Sequence, residues 1–382
     1  MKRNRSMDML KFMACLVVFF DHFYLTFRSQ MPTAQEIMQI NPIKILVNGN
    51  LAVCIFLLLS AYFLSGQIYR SKSFERLQKS VFKRYPRLMF PVAILSCVTY
   101  GMKKASLFYH LKAAEIMKDE FLTHYFGNQM TLKNLIKDTL FTVWYQQCGV
   151  FNGPFWMLYI LFLGSFFVML LSVVTVGKGK KGIWIFGCMA IFAVFYDSYL
   201  MCLVLGTFLA YIKENTEIIE LLQKKKYGIL LVAVMLVVGI VLQGDNTIPL
   251  KILEKLHIQN EYLNGRYFYN TIAAFLIVVA IECMNRKQKI QEKKSVLDKI
   301  TALSFSIYLV HWPIVCSLSC YLYVSWYMEI KNKSVLFGGI FAITTVVVFL
   351  AAWIFNNLVE KYICNKAVNK LCNWYFEKGS GR

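Results

Sequence analysis

Apolar residues run along this chain in long blocks separated by short basic connectors. Ten blocks stand out, near residues 9–27, 44–66, 88–102, 154–176, 183–197, 198–212, 227–243, 268–285, 303–325 and 335–358. The longer ones exceed about 18 residues, enough at roughly 1.5 Å per residue to cross a hydrocarbon core. The even alternation that marks barrel strands is absent. The pattern predicts an all-α polytopic membrane protein, a bundle of about ten transmembrane helices over residues 1–358. A tail over 359–382 follows, with Tyr362, Ile363, Val368, Leu371, Trp374 and Tyr375 set among lysines. That spacing predicts an amphipathic helix on the inner membrane surface. Residues Gly379, Ser380, Gly381 and Arg382 resemble a cloning scar and carry no weight. The stretch 103–150, aromatic and partly amphipathic, predicts a helix lying in or dipping into the outer leaflet. With 244–267 it forms the expected acceptor-facing surface.

Charge adds an orientation. A net charge of +21 would suit a nucleic-acid binder, but its placement points elsewhere. With the N-terminus inside, the cytoplasmic segments hold 28 of the 42 Lys and Arg residues. This positive-inside asymmetry predicts that both termini are cytoplasmic, with a weaker attraction to anionic lipid heads. Of eleven cysteines only Cys148 falls in an outer loop, so no disulfide framework is expected. No CxxC or HxxxH spacing offers a metal site. The basic start resembles a signal peptide, but the first block is too long, contains polar residues and lacks a small-residue cleavage site, so it is expected to stay.

Ionisable residues inside the apolar blocks are costly and therefore informative, at roughly 2.5–3.5 kcal/mol for a charge at mid-span. The first block, DMLKFMACLVVFFDH, holds Asp8, Lys11, Asp21 and His22. Asp8 and Lys11 have the i, i+3 spacing of a pair. Lys11 and His22 are eleven residues apart, so on a helix they project from nearly one face, separated by about 16 Å. Lys11 alone fits snorkelling at the interface, and His22 alone fits a helix–helix contact. Together they suggest a cationic mouth and a deep imidazole suited to proton transfer. Block nine supplies Ser304, Tyr308 and His311 on one polar stripe, and Pro313 should free the Leu309 carbonyl and kink the helix there. The two histidines are expected to share a cavity. Arg84 and Arg87, i, i+3 neighbours in FKRYPRLMFP, suit phosphate or lipid head groups. In NGPFWML, Asn152 is expected to be exposed at the outer mouth, with Trp156 in an aromatic belt. Glu282 should reach the inner interface, and Asp197 should mark a short outer turn.

Taken in order, these segments resemble the acyltransferase family 3 membrane proteins. The opening motif is matched by Arg3 or Arg5, Asp8, Lys11 and His22. AVCIFLLLSAYFL, with Ser60, resembles the family's second-span segment, and KRYPRLMFP its Arg-Arg-Pro boundary. SFSIYLVHWP resembles its ninth-span segment, and NNLVEKY its terminal acidic segment without the proline. Lys11 stands where many members have arginine, and the longer acid motif of other members is missing. The resemblance implies an O-acyltransferase of a bacterial plasma membrane, using acyl-CoA (acetyl-CoA by default) and no metal. Acyl-CoA phosphates would lie near Arg84, Arg87, Lys11 and Ser60. His22 would act as general base or transient acyl carrier, with Asp8, Lys11 and His311 in support. Asn152, Trp156, Tyr308 and Ser304 would hold substrate, a hydroxyl of a glycan or other acceptor on the outer side. A lipid-linked saccharide flippase and a small-ligand sensor are the rival expectations.

Overall fold

The computed structural model describes residues 4–71, 73–147, 149–196, 198–224, 226–243, 266–284 and 296–379. Arg3, Cys148, Asp197 and nearly all of 244–267 lie outside the described residues, as do the expectations attached to them. Every described element is helical. The long helices are α1 (Arg5–Phe27), α2 (Gly49–Ser71), α3 (Phe74–Lys104), α4 (Trp156–Thr175), α5 (Gly182–Tyr196), α6 (Ser198–Asn215), α7 (Lys226–Leu242), α8 (Arg266–Met284), α9 (Ser304–Ile314), α10 (Lys333–Phe355) and α11 (Asn365–Gly379). A helix covers each of the ten apolar blocks. Six helical stretches among the described residues are long and apolar enough to cross a membrane. They are Arg5–Gln30, Gly49–Ser71, Gly153–Thr175, Gly179–Tyr196, Ser304–Trp326 and Lys333–Phe376. Helices α7 and α8 are apolar but shorter, whereas α3 and α6 carry charged ends that dilute their apolar centres.

The chain divides into two compact units. The first comprises residues up to Val18, Glu36–Leu77 and Gly164–Thr301. Its centre is α2, packed on α6 and α8, with α7 against α8. Gly206 lets α6 approach α2 closely, because a Cβ there would run into the Leu58 carbonyl oxygen. Polar clusters tie the two ends of this unit. At one end Asn48 donates to the Gln243 side chain at 2.8 Å and to Asn270 at 3.0 Å, and Gln243 donates to Asn41 at 2.8 Å. At the other, Glu282 is buried and pairs with the Lys213 ammonium. It also accepts from Tyr62 at 3.0 Å and from Asn4 at 3.0 Å, while Lys213 donates to the Tyr62 hydroxyl at 2.7 Å. Arg5 clamps the buried Asp298 carboxylate with Nε at 3.3 Å and Nη2 at 3.1 Å. The sequence expectation that Glu282 reaches the interface is therefore corrected: partners on two helices and the N-terminal segment keep it inside.

The second unit comprises Phe19–Gln35, Gln78–Leu163 and Ala302 onward. The later half of α1 packs on α10 through aromatic rings, with Phe341 meeting Phe19, Phe20 and Phe23. Helix α9 passes without a break into a π-helical turn, Val315–Ser319, just beyond Pro313. The 103–150 stretch forms short helices, among them His110–Met117 and Leu132–Lys137. Its later part folds down along α3 and α4: Tyr85 donates to the Leu140 carbonyl at 2.7 Å, and Trp144 meets Tyr85 and Phe162 edge-on. The amphipathic tail is helical. Its Tyr375 stacks on Phe82 of α3, and Lys83 donates to Asn369 at 3.1 Å.

The Glu282 cluster generates a stability prediction. Glu282→Leu should lower stability by about 3 kcal/mol, because it strands a cation and a hydroxyl in a packed interior. Adding Lys213→Met should recover much of that loss. Thermal unfolding in detergent, followed by size-exclusion fluorescence, reads both.

Candidate functional site

Pro313 has no N–H, so the Leu309 carbonyl one turn back lacks its helical donor. The structure supplies one: the Asn152 side-chain amide donates to Leu309 at 2.8 Å. The Tyr308 hydroxyl donates to the Pro154 carbonyl from the same helix. These two bonds pin the turn Asn152–Phe155, and with it the start of α4, onto α9. Asn152 is fully buried, which corrects the expectation of an exposed residue at an outer mouth. Tyr308 and Ser304 are buried as well, and the single Tyr308 proton goes to the turn.

The same helix carries His311, 1% exposed, into contact with half-buried His22 of α1. His22 Nδ1 and His311 Nε2 are 2.9 Å apart. The direction of that bond follows from the next one. His311 Nδ1 lies 3.0 Å from the Ile307 carbonyl, which can only accept, so Nδ1 carries the proton. In a neutral His311 the lone pair then sits on Nε2 and accepts from His22 Nδ1–H. That leaves the His22 lone pair on Nε2, the tautomer a general base needs. The Thr26 hydroxyl donates to the His22 carbonyl at 2.8 Å and braces the turn of α1 that presents the ring.

Trp312 completes the surroundings. It is fully buried, its ring centroid lies 5.1 Å from that of His22, and its indole N–H has no acceptor. Tyr125 meets it edge-on at 4.7 Å and Phe121 at 6.1 Å, both from the 103–150 stretch. That stretch is held in turn by His110, whose Nε2 lies 2.9 Å from the Tyr125 carbonyl. Burial pushes the His110 imidazole below its ordinary range and outweighs the opposing effect of that bond, in which Nε2 donates because a carbonyl can only accept. Neither Trp312 nor Gly153 stands out in the sequence. The Trp lies next to a more conspicuous histidine, and the Gly opens an ordinary helix start.

Arg84 and Arg87 lie in the same unit but differ in exposure. Arg87 is exposed. Arg84 turns inward, donates from Nη2 to the Leu161 carbonyl of α4 at 3.2 Å, and leaves its buried Nε without an acceptor. No carboxylate among the described residues pairs with either. Trp156 is half-buried at the start of α4. Asp8, Lys11 and Ser60 belong to the first unit, where the Lys11 ammonium lies 4.5 Å from the centre of the Phe56 ring. Ser60 donates to the Phe56 carbonyl one turn back at 2.7 Å. A family model for the acyltransferase domain of acyltransferase family 3 matches residues 4–356. No curated protein and no solved structure matches the chain.

The Asn152 bond is open to test. Asn152→Ala should cost about 1–3 kcal/mol, the penalty for a buried carbonyl left unpaired. Asn152→Asp should cost more at neutral pH, because it sets a carboxylate against that carbonyl, and should improve on acidification as the carboxyl gains a proton to donate. Unfolding temperature against pH for the three proteins separates them.

Proposed function

The chain belongs to acyltransferase family 3, and on that footing we propose that it transfers an acyl group, acetyl by default, from cytosolic acyl-CoA to a hydroxyl of an extracytoplasmic or lipid-linked glycan. The observation that carries this reading is the ordered histidine pair, with His311 fixing His22 in the tautomer whose Nε2 accepts a proton. In the one-step route the acceptor oxygen attacks the thioester carbonyl carbon as its proton passes to His22 Nε2. The tetrahedral intermediate then expels the CoA thiolate, which takes that proton back from the imidazolium. In the two-step route His22 Nε2 attacks the thioester carbonyl carbon and expels the CoA thiolate. The acceptor oxygen then attacks the acyl-imidazole, releasing the imidazole as its proton passes to the freed base, and ping-pong kinetics result.

Two arginines in the same unit support the reading. Arg84 and Arg87 are three residues apart on α3 with no carboxylate paired to them among the described residues, an arrangement suited to the diphosphate of CoA. Arg84 contacts α4 at Leu161, seven residues from Pro154, so helical rise puts about 10 Å between that contact and the turn at the histidines. A pantetheine arm is long enough to bridge such a gap. The positive-inside asymmetry supports cytoplasmic termini and entry of acyl-CoA from that side, in the plasma membrane. The glycan would meet the 103–150 stretch.

Protein reconstituted in nanodiscs should be stabilised against heat by CoA, acetyl-CoA and ADP. It should pass label from radiolabelled acetyl-CoA to an envelope glycan fraction. His22→Ala should keep the thermal shift with CoA and lose about 10²-fold or more in transfer. Arg84→Gln should weaken CoA binding about tenfold. Wild-type turnover in His22→Ala overturns the mechanism, and a protein that moves lipid-linked saccharide with no covalent change is a flippase.

A further inference from the structure

The tail helix α11 follows α10 through a π-helical turn, and the three form one unbroken helical stretch, Lys333–Phe376. Cys364, Val368 and Cys372, four residues apart, make its buried stripe. Beside that stripe it meets α3. Tyr375 stacks on Phe82 at 4.7 Å between ring centroids, Phe376 meets Phe82 edge-on, and Lys83 donates to Asn369. Leu371, Trp374 and Tyr375 stay 40%, 57% and 54% exposed.

Acid is confined to the margins of this surface. Neither 76–104 nor 361–376 contains Asp or Glu, and the nearest acids along the chain are Glu75, Glu360 and Glu377. Lys366 and Lys370 are exposed i, i+4 neighbours, a spacing at which like charges repel. Asn369, which Lys83 touches, is next to Lys370 and one turn from Lys366, so cations of two helices gather about it. No carboxylate among the described residues pairs with Lys83, Lys366 or Lys370. An anion placed there offsets the repulsion. Its kind follows from what lies beside the lysines: Leu371 adjoins Lys370, and Trp374 is one turn beyond. A soluble phosphate gains nothing from these apolar groups, whereas a phospholipid offers a phosphate to the lysines and acyl chains to the indole and leucine. The helix that carries them also continues a candidate membrane span, which brings lipid within reach.

We propose that the face shared by α3 and the tail binds an anionic phospholipid, its phosphate among Lys83, Lys366 and Lys370 and its acyl chains along Leu371 and Trp374. Bound there, the lipid fastens the tail to α3 within one turn of Arg84 and Arg87.

Native mass spectrometry of the full chain in detergent, titrated with phosphatidylglycerol or phosphatidylcholine, tests this. Each basic residue at an anionic lipid head is worth about fivefold in affinity. Phosphatidylglycerol should therefore bind about 10²-fold more tightly, and Lys83→Gln/Lys366→Gln/Lys370→Gln should erase the preference. Lys366→Gln/Lys370→Gln, which spares the Lys83 bond, should lose most of it and covers the case in which the triple variant fails to fold. Lys104→Gln/Lys112→Gln/Lys133→Gln, which removes the same charge from exposed positions elsewhere, should keep it. Trp374→Ala should weaken both lipids alike. Equal affinity for the two lipids, a preference that survives in the double and triple variants, or one lost equally in the control overturns the inference. Inorganic phosphate binding as tightly as phosphatidylglycerol assigns the face to a soluble ligand, and loss of oligomers in the triple variant with lipid binding intact assigns it to a second copy. Either result overturns it as well.

Discussion

A carbonyl that proline deprives of its helical donor, deep among packed side chains, has to be met by some other N–H or O–H. Leu309 is that carbonyl, and much of the second unit follows from how it is satisfied. Asn152 supplies the donor only because the chain before α4 turns inward to bring it there. Tyr308 reinforces the turn from the same helix. Once the turn is fixed, Gly153 faces Trp312, α4 starts beside the histidines, and Arg84 finds Leu161 farther along the same helix. A membrane interior leaves few other ways to settle such a group, since no solvent competes for it.

The buried ionisable groups fall into two kinds. In the first unit Glu282 has Lys213, Tyr62 and Asn4 around it, and Asp298 has the Arg5 fork. These charges are met by complementary groups and hold helices together. In the second unit Arg84 keeps a buried Nε without an acceptor and has a second arginine three residues away, and the Trp312 N–H is equally unmet. Stability alone would remove such features, for a buried unpaired donor weakens a fold. Both lie in the unit that holds the ordered histidine pair, and folded proteins commonly trade stability for function at ligand sites, which is why the proposed donor site is sought there.

Proton order matters as much as proximity. Two imidazoles 2.9 Å apart could share a proton either way round, and only one arrangement leaves the lone pair on His22 Nε2. The Ile307 carbonyl makes the choice, because it accepts and cannot donate. A backbone group one turn below His311 thus sets the tautomer of a side chain on another helix.

Much of this was legible in the chain itself. Hydrophobic blocks gave the helices, because apolar length and helical rise are local properties. The cost of charge in an apolar run singled out His22 and His311, and the ring geometry of proline named Leu309 as the carbonyl without a donor. What answered that carbonyl could not be read, because Asn152 lies 157 residues away along the chain. Its polar side chain at a loop looks like a surface residue until the partner is known. Glu282 was misplaced for the same reason, its ammonium and phenol partners coming from other helices. Trp312 and Gly153 were silent, since a tryptophan in an apolar block and a glycine before a helix are ordinary locally. Sequence fixes which groups must find partners, and tertiary structure alone decides which partners they find and which groups are left waiting, because hydrogen bonds act over about 3 Å of space and take no account of distance along the chain.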